Sequence, residues 1–248
     1  MTKIAIIGGS GLENPEILQH AERITLKTPF GDPSSDFISG TIGHTDVVLL
    51  SRHGRDHTIP PSQVNNRANI FAIKQLECTH ILATTACGSL RENIGRGDLV
   101  ILDQFIDFTR SRETTFFKSF EPDMMKHTPM ADPFNRYLRE KLISAGNELG
   151  LTIHPGGCVI TIEGPRFSTR AESRMFRSWG GDIINMSTAP ECILANELGI
   201  PYAAVAMATD YDSWKDDETS VSWEDILAVF GQNVHNVINI LLKVIPAI

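Results

Sequence analysis

The 248-residue chain is 42% hydrophobic and 21% charged, with 19 Gly and 13 Pro, a globular composition that is neither disordered nor collagen-like. Its 22 Lys and Arg against 30 Asp and Glu give a formal charge of −8, which excludes broad binding to a nucleic-acid backbone. A small anion site built from one arginine and backbone amides stays open.

The four cysteines, Cys78, Cys87, Cys158 and Cys192, form no CxxC pair and lie beside apolar or small residues, as reduced packing thiols do. The apolar stretch 4–7 is too short for a signal-peptide core, and no run approaches the ~18 residues of a membrane span. These features point to a cytoplasmic protein with no membrane and no nucleic-acid partner.

Short apolar runs alternate with amphipathic stretches along the chain. Strands are predicted at 3–7, 46–50, 80–84 and 98–102, several rich in Ile, Val and Ala, as strands covered on both faces are. The stretch 111–128 fits neither helix nor strand period and reads as a long loop or lid. Asp132-Pro133 supplies an N-cap and a proline for a helix that closes near Gly150. A strand at 157–162 follows. Then Thr169 and Glu172 match the capping-box spacing for a helix ending at Gly180. A strand at 182–185 leads to a second such pair, Thr188 and Glu191, with Gly199 as its stop. The strand 202–207 and a last helix from Ser222 to about Lys243 complete the series. Alternation of this kind predicts one α/β domain over 1–248, with a mixed, mostly parallel central sheet flanked by helices.

In such sheets ligands bind at the carboxyl ends of the strands. The segments there are Gly8-Gly9-Ser10-Gly11, Ser51-Arg52-His53-Gly54, Thr84-Thr85-Ala86-Cys87-Gly88, Glu163-Gly164-Pro165-Arg166-Phe167, Asn185-Met186-Ser187-Thr188 and Asp210-Tyr211-Asp212. Hydroxyls, glycine-exposed amides and an arginine suit a phosphate-sized anion. Two carboxylates cannot bind that anion and call for N–H groups or a protonatable nitrogen. Plainer alternatives exist. The first segment half matches a dinucleotide fingerprint, which Glu13 leaves incomplete. His53 and His57 have metal-ligand spacing, but Gly54 and Pro60-Pro61 argue against the helix it needs. Asp210 and Asp212 alone would pass as solvated loop acids.

Taken together, these segments are long enough to be specific. Gly8 to Leu12, Arg52 to Arg55, Thr84 to Arg91, Thr161 to Phe167, Asn185-Met186 and Met207 to Asp212 resemble the trimeric purine nucleoside phosphorylases, and within them the methylthioadenosine-cleaving members. The resemblance covers nearly the whole chain. It implies that Ser10, Arg52, His53, Thr85, the amide of Ala86 and Ser187 bind phosphate. It implies that Phe167 and Met186 pack base and ribose, and that Asp210 and Asp212 bind the purine, with Asp210 as the general acid. The reaction implied is phosphorolysis of S-methyl-5'-thioadenosine, with phosphate as co-substrate and neither metal nor organic cofactor. A homotrimer is implied as well, His127 reaching the neighbouring subunit's site. Ser10 and Ser187 stand where such enzymes often carry Thr, and the hydroxyl is kept. Ser168, Asp210 and Asp212 replace the Glu, Asn and apolar residue of the 6-oxopurine enzymes, which favours a 6-amino purine. A broader nucleoside phosphorylase acting on adenosine or 6-oxopurine nucleosides, or a non-catalytic anion-binding module, are the alternatives.

Trp223, Ile226 and Leu227 share one face of the last helix, at i, i+3 and i+4. They make either plain core or an apolar pocket for the sugar's 5' end. In the 6-oxopurine enzymes the position of Trp223 holds a His able to bond a 5'-hydroxyl; in the methylthioadenosine enzymes it is usually a smaller aliphatic residue. If the pocket reading holds, methylthioadenosine is cleaved with a higher kcat/KM than adenosine. Equal values in a paired steady-state assay would remove the pocket.

Overall fold

A computed structural model describes residues 2–9, 11–12, 15–216 and 223–248, with side chains of the last segment described from residue 231 onward. Ser10 and the side chains of Trp223, Ile226 and Leu227 therefore lie outside the described residues, as does the cap Ser222. In chain order the elements are β1 (Lys3–Gly8), β2 (Gln19–Ile24), β3 (Phe37–Ile42), β4 (Thr45–Ser51), α1 (Asn66–Gln75), β5 (His80–Ser89), β6 (Leu99–Ile101) and β7 (Gln104–Phe108). There follow α2 (Arg136–Glu148), β8 (Ile153–His154), β9 (Cys158–Ile162), α3 (Arg170–Ser178), β10 (Ile183–Asn185), α4 (Thr188–Glu197), β11 (Tyr202–Tyr211) and α5 (Trp223–Val244).

The strands form one mixed sheet, running β2-β3-β4-β1-β5-β10-β9-β7, with β11 on β5 and β6, and β8 on β6. The central strands are buried on both faces and their successive residues feed opposite cores. Ala5, Ile7, Val48, Leu50, Ile81 and Ala83 pack under α1 and α4. Ile4, Ile6, Val47, Leu49 and Leu82 pack under α2 and α5. That alternation is why these segments read as unbroken apolar runs. A smaller core of Leu90, Ile160, Ile162, Phe176 and Ile184 lies beneath α3.

Every predicted strand is present. β5 and β11 run on to Ser89 and Tyr211, and the stretch 111–128 holds no helix or strand. The strands β2, β3, β7 and β8 and the helix α1 were not predicted. Two predicted helix starts need correction. The α2 cap is Asn135, whose side chain accepts from the Leu138 N–H at 3.1 Å, so Asp132-Pro133 precedes the helix. Thr169 and Glu172 do form a capping box, but α4 is entered from Ser187 with no side-chain cap. Glu191 is drawn inward instead.

Strand β5 creates the site. Residues 80–83 pair in parallel with β1, while Gly88 and Ser89 pair antiparallel with β10 on the same side. Between them, 84–87 have no ladder partner on that edge among the described residues, although β11 pairs along the other edge. The sheet is split where Thr84, Thr85, Ala86 and Cys87 present backbone groups to whatever lies beside them.

Gly9, just after β1, closes one wall of this split. Its N–H donates to Thr84 Oγ1 at 3.2 Å, and a methyl added there would meet Arg52 Nη1 at 2.8 Å and the Thr84 carbonyl at 2.9 Å. Neither neighbour is easily moved, one being strand backbone and the other held by buried bonds. Gly9→Ala should destabilise the fold by ~1–3 kcal/mol, as overpacked sites do. Denaturant unfolding checks this, and an unchanged midpoint would mean that Arg52 yields.

Candidate active site

A cavity of about 260 Å³ occupies the split, and all six predicted strand-end segments border it. Gly9, Arg52, His53, Thr85 and Ser187 line one end and Asp210 and Asp212 the other, and Phe167 and Met186 also line the cavity. Convergence of these segments is the feature that sequence alone could only infer.

At the first end the Arg52 side chain is buried. Its Nη2 donates to Glu191 Oε2 at 3.0 Å, its Nε donates to Glu191 Oε1, and its Nη1 donates to the Thr84 carbonyl at 2.8 Å. The Tyr202 hydroxyl donates to the same Glu191 carboxylate at 2.9 Å. Glu191 is fully buried, so its charge is matched by Arg52 within the fold. The side-on edge of the guanidinium is therefore engaged by Glu191, and Nη1 is tied to the backbone of β5.

Beside it, the hydroxyls of Thr85 and Ser187 lie 3.3 Å apart. Asn185 fixes them. Its Nδ2 donates to Thr85 Oγ1 at 3.2 Å and to Thr188 Oγ1 at 2.5 Å, while its Oδ1 accepts from Thr161 Oγ1 at 2.9 Å. His53 Nδ1 lies 2.9 Å from the Ile59 carbonyl and its ring stacks on His57, centroids 4.7 Å apart. Burial first, then the Arg52 charge, lowers the His53 pKa to about 4. The segment from His53 to His57 is turn and not helix, and among the described residues no three His, Cys, Asp or Glu side chains are placed to hold a metal.

At the opposite end a register shift in β11 between Ala208 and Asp210 sets Asp210 opposite Gly88. A methyl on Gly88 would lie 3.2 Å from Asp210 Oδ2 and 3.3 Å from Asp212 Cβ, so the absent side chain makes room for both. Thr209 Oγ1 donates to Asp210 Oδ1 at 2.8 Å. Burial raises the Asp212 pKa. Hydroxyls of Ser173 and Ser168 and the Ser213 N–H are near enough to oppose that rise, yet Asp212 Oδ2, Ser168 Oγ and Ser173 Oγ complete no hydrogen bond. Cys87 borders the cavity, its thiol pushed up by burial and by the Asp210 carboxylate, and so is protonated. Phe167 remains 59% exposed at the cavity wall, a large apolar ring with little to cover it.

His127 does not border the cavity. It is exposed in the segment after β7, edge-on to Phe120 with ring centroids 6.2 Å apart. Two residues that organise the site were named from sequence but given no role in it. Glu191 has the spacing of a helix cap, and Asn185 reads as the last residue of an apolar strand. A polar residue closing a buried strand was the available signal for Asn185. For Glu191 there was none, since its partner lies 139 residues away.

Residues 3–246 match the family model of the phosphorylase superfamily. The chain is 55% identical over 250 residues to an S-methyl-5'-thioadenosine phosphorylase of Xenopus tropicalis, covering 99% of this chain and 89% of that one. It is 52% identical to the Danio rerio protein of the same name, with the same coverage. Among solved structures, a methylthioadenosine phosphorylase from Schistosoma mansoni in complex with adenine superposes with a TM-score of 0.94 at 43% identity, covering 100% of this chain and 92% of that one. A variant of an adenosine/methylthioadenosine phosphorylase from the same organism, in complex with methylthioadenosine, gives 0.92 at 42% identity with the same coverage. A match that spans the sheet, the split in it and every segment bordering the cavity is a match of the whole domain, and the chain belongs to the phosphorylase superfamily.

Proposed function

We propose that the protein cleaves S-methyl-5'-thioadenosine with inorganic phosphate, releasing adenine and 5-methylthioribose 1-phosphate. The observation that carries this is one cavity with a donor-lined end at Arg52, Thr85 and Ser187 and two carboxylates at the other. A nucleoside lying between them would present its sugar to phosphate and its base to Asp210 and Asp212.

Phosphate is itself the nucleophile, so the reaction needs no metal or organic cofactor. It would rest on Arg52, His53, the hydroxyls of Ser10, Thr85 and Ser187, and the Ala86 amide. The transition state of glycosyl transfer carries oxocarbenium character at C1', which the phosphate beneath the sugar stabilises. Adenine leaves once N7 gains a proton or a strong hydrogen bond, the step assigned to Asp210 and worth ~10²–10⁴ in rate. Asp212 accepts from the 6-amino group through the oxygen that lacks a partner, and a raised pKa suits a carboxyl that shares a proton with its neighbour. Ser168, also unpartnered, can donate to N1, which carries no hydrogen in adenine. Phe167 and Met186 pack base and ribose.

The protein acts as a homotrimer in the cytosol, with His127 supplied to a neighbouring site. For the cytosol, the support is that the four cysteines are free thiols. Adenosine as a second substrate is favoured by the name of the Schistosoma mansoni enzyme.

Incubation with methylthioadenosine should release adenine only when phosphate is added; retention of nucleoside without turnover would leave a binding module. Asp210→Asn with Ser168→Glu and Asp212→Val should move activity toward inosine, and a wild type that already prefers inosine or methylthioinosine would overturn the roles of the two aspartates. Sedimentation at assay concentration should find a trimer. A fully active monomer would remove the role of His127.

A further inference from the structure

We propose that the anion end of the cavity selects a tetrahedral oxyanion that carries a proton, such as hydrogen phosphate or hydrogen arsenate, over proton-free sulfate, because His53 meets the ligand as a hydrogen-bond acceptor. The proposal rests on that end being the phosphate site.

The geometry at Ile59 decides the tautomer. A carbonyl oxygen only accepts, so the 2.9 Å contact places the imidazole hydrogen on Nδ1. In a neutral ring Nε2 then carries a lone pair. Ile59 is not part of the cavity wall whereas His53 is, so the ring edge left for the ligand is the one bearing Nε2. Burial first, and then the charge of Arg52 beside it in the chain, keep the ring neutral, with Arg112 a lesser contributor and His57 stacked on the ring. Two carboxylates answer those cations, Glu191 on Arg52 and Glu163 on Arg112, and each binds its arginine and not His53.

The same pairing removes charge as the basis of selection. Arg52 and Glu191 together carry none, and the remaining ligand groups are hydroxyls and an amide. Such a site discriminates by matching donors to acceptors. Hydrogen phosphate offers one P–O–H to Nε2 and lone pairs to every donor. Sulfate has equal charge and shape, but would set a lone pair against the lone pair of Nε2.

Calorimetric titration of the intact protein at about pH 8, where phosphate and sulfate are both chiefly dianions, tests this with inorganic phosphate, sulfate and monofluorophosphate as probes. Sulfate and fluorophosphate should each bind at least tenfold more weakly than phosphate. His53→Gln, whose amide can turn a donor to the anion, should narrow the gap to about threefold or less by gaining sulfate affinity. Sulfate binding within threefold of phosphate in the wild type would overturn the proposal and leave the phosphate site standing. So would a gap that His53→Gln leaves intact. If phosphate neither binds nor saturates turnover, the phosphate site and the proposal fall together. The three-anion comparison on the wild type decides the matter even where the variant does not fold.

Discussion

The contact between Arg52 and Glu191 organises this molecule. Removing two full charges from water is costly, and a buried pair recovers that cost only when its remaining donors and acceptors are also satisfied. Here Tyr202 from the start of β11 bonds the carboxylate and the Thr84 carbonyl from β5 accepts from the guanidinium, so one cluster joins the end of β4, the middle of β5, the helix α4 and β11. Loss of one member would strand a buried charge, a defect of about 3–5 kcal/mol. Hydrophobic residues of similar volume could hold these elements as firmly. What they could not do is orient a guanidinium at the cavity wall, and that is the use the fold makes of the pair.

The second constraint is the path of β5. A ten-residue strand that pairs with β1 over its first part and with β10 at its end must leave a gap between the two. The gap sits at the middle of the sheet, under the least yielding part of the core. A site there is held by strands on two sides and needs little ordering when a ligand arrives. Asn185, at the far side of the gap, ties the end of β10 to β5 through Thr85 and to β9 through Thr161.

Legibility of the sequence follows the same physics. The central strands were readable because burial on both faces makes them apolar throughout, and the strand-end rule then located six of the segments that line the cavity, though not the one carrying His57 and Pro61. β2, with the sequence QHAERI, is almost wholly exposed and carries no alternation to detect. α1 begins with NRAN and buries two asparagines, which masks its apolar face. Asn69 is buried because it bonds Ser34, a partner 35 residues away. Glu191 failed for the most instructive reason. A glutamate three residues after a threonine is good evidence for a capping box, as Thr169 and Glu172 demonstrate at α3, but tertiary demand overrode the local preference at α4. The long-range half of a buried ion pair cannot be found from spacing.

The charge distribution finally bears on the chemistry. A site that held phosphate by a surplus of positive charge would neutralise the group whose negative charge the reaction needs. With Arg52 matched by Glu191 and the His53 pKa lowered to about 4, a phosphate at the proposed site would be held chiefly by hydrogen bonds. Its charge would then stay available to the cationic sugar of the proposed reaction, in surroundings where such an interaction is stronger than in water. At the other end, burial raises the Asp212 pKa, the direction that favours a proton beside the base in the proposed reaction. On the proposed reaction, negative charge is left beneath the sugar and a proton is held beside the base. An oxocarbenium ion with a departing purine calls for that asymmetry, and the buried groups at the two ends of the cavity favour it.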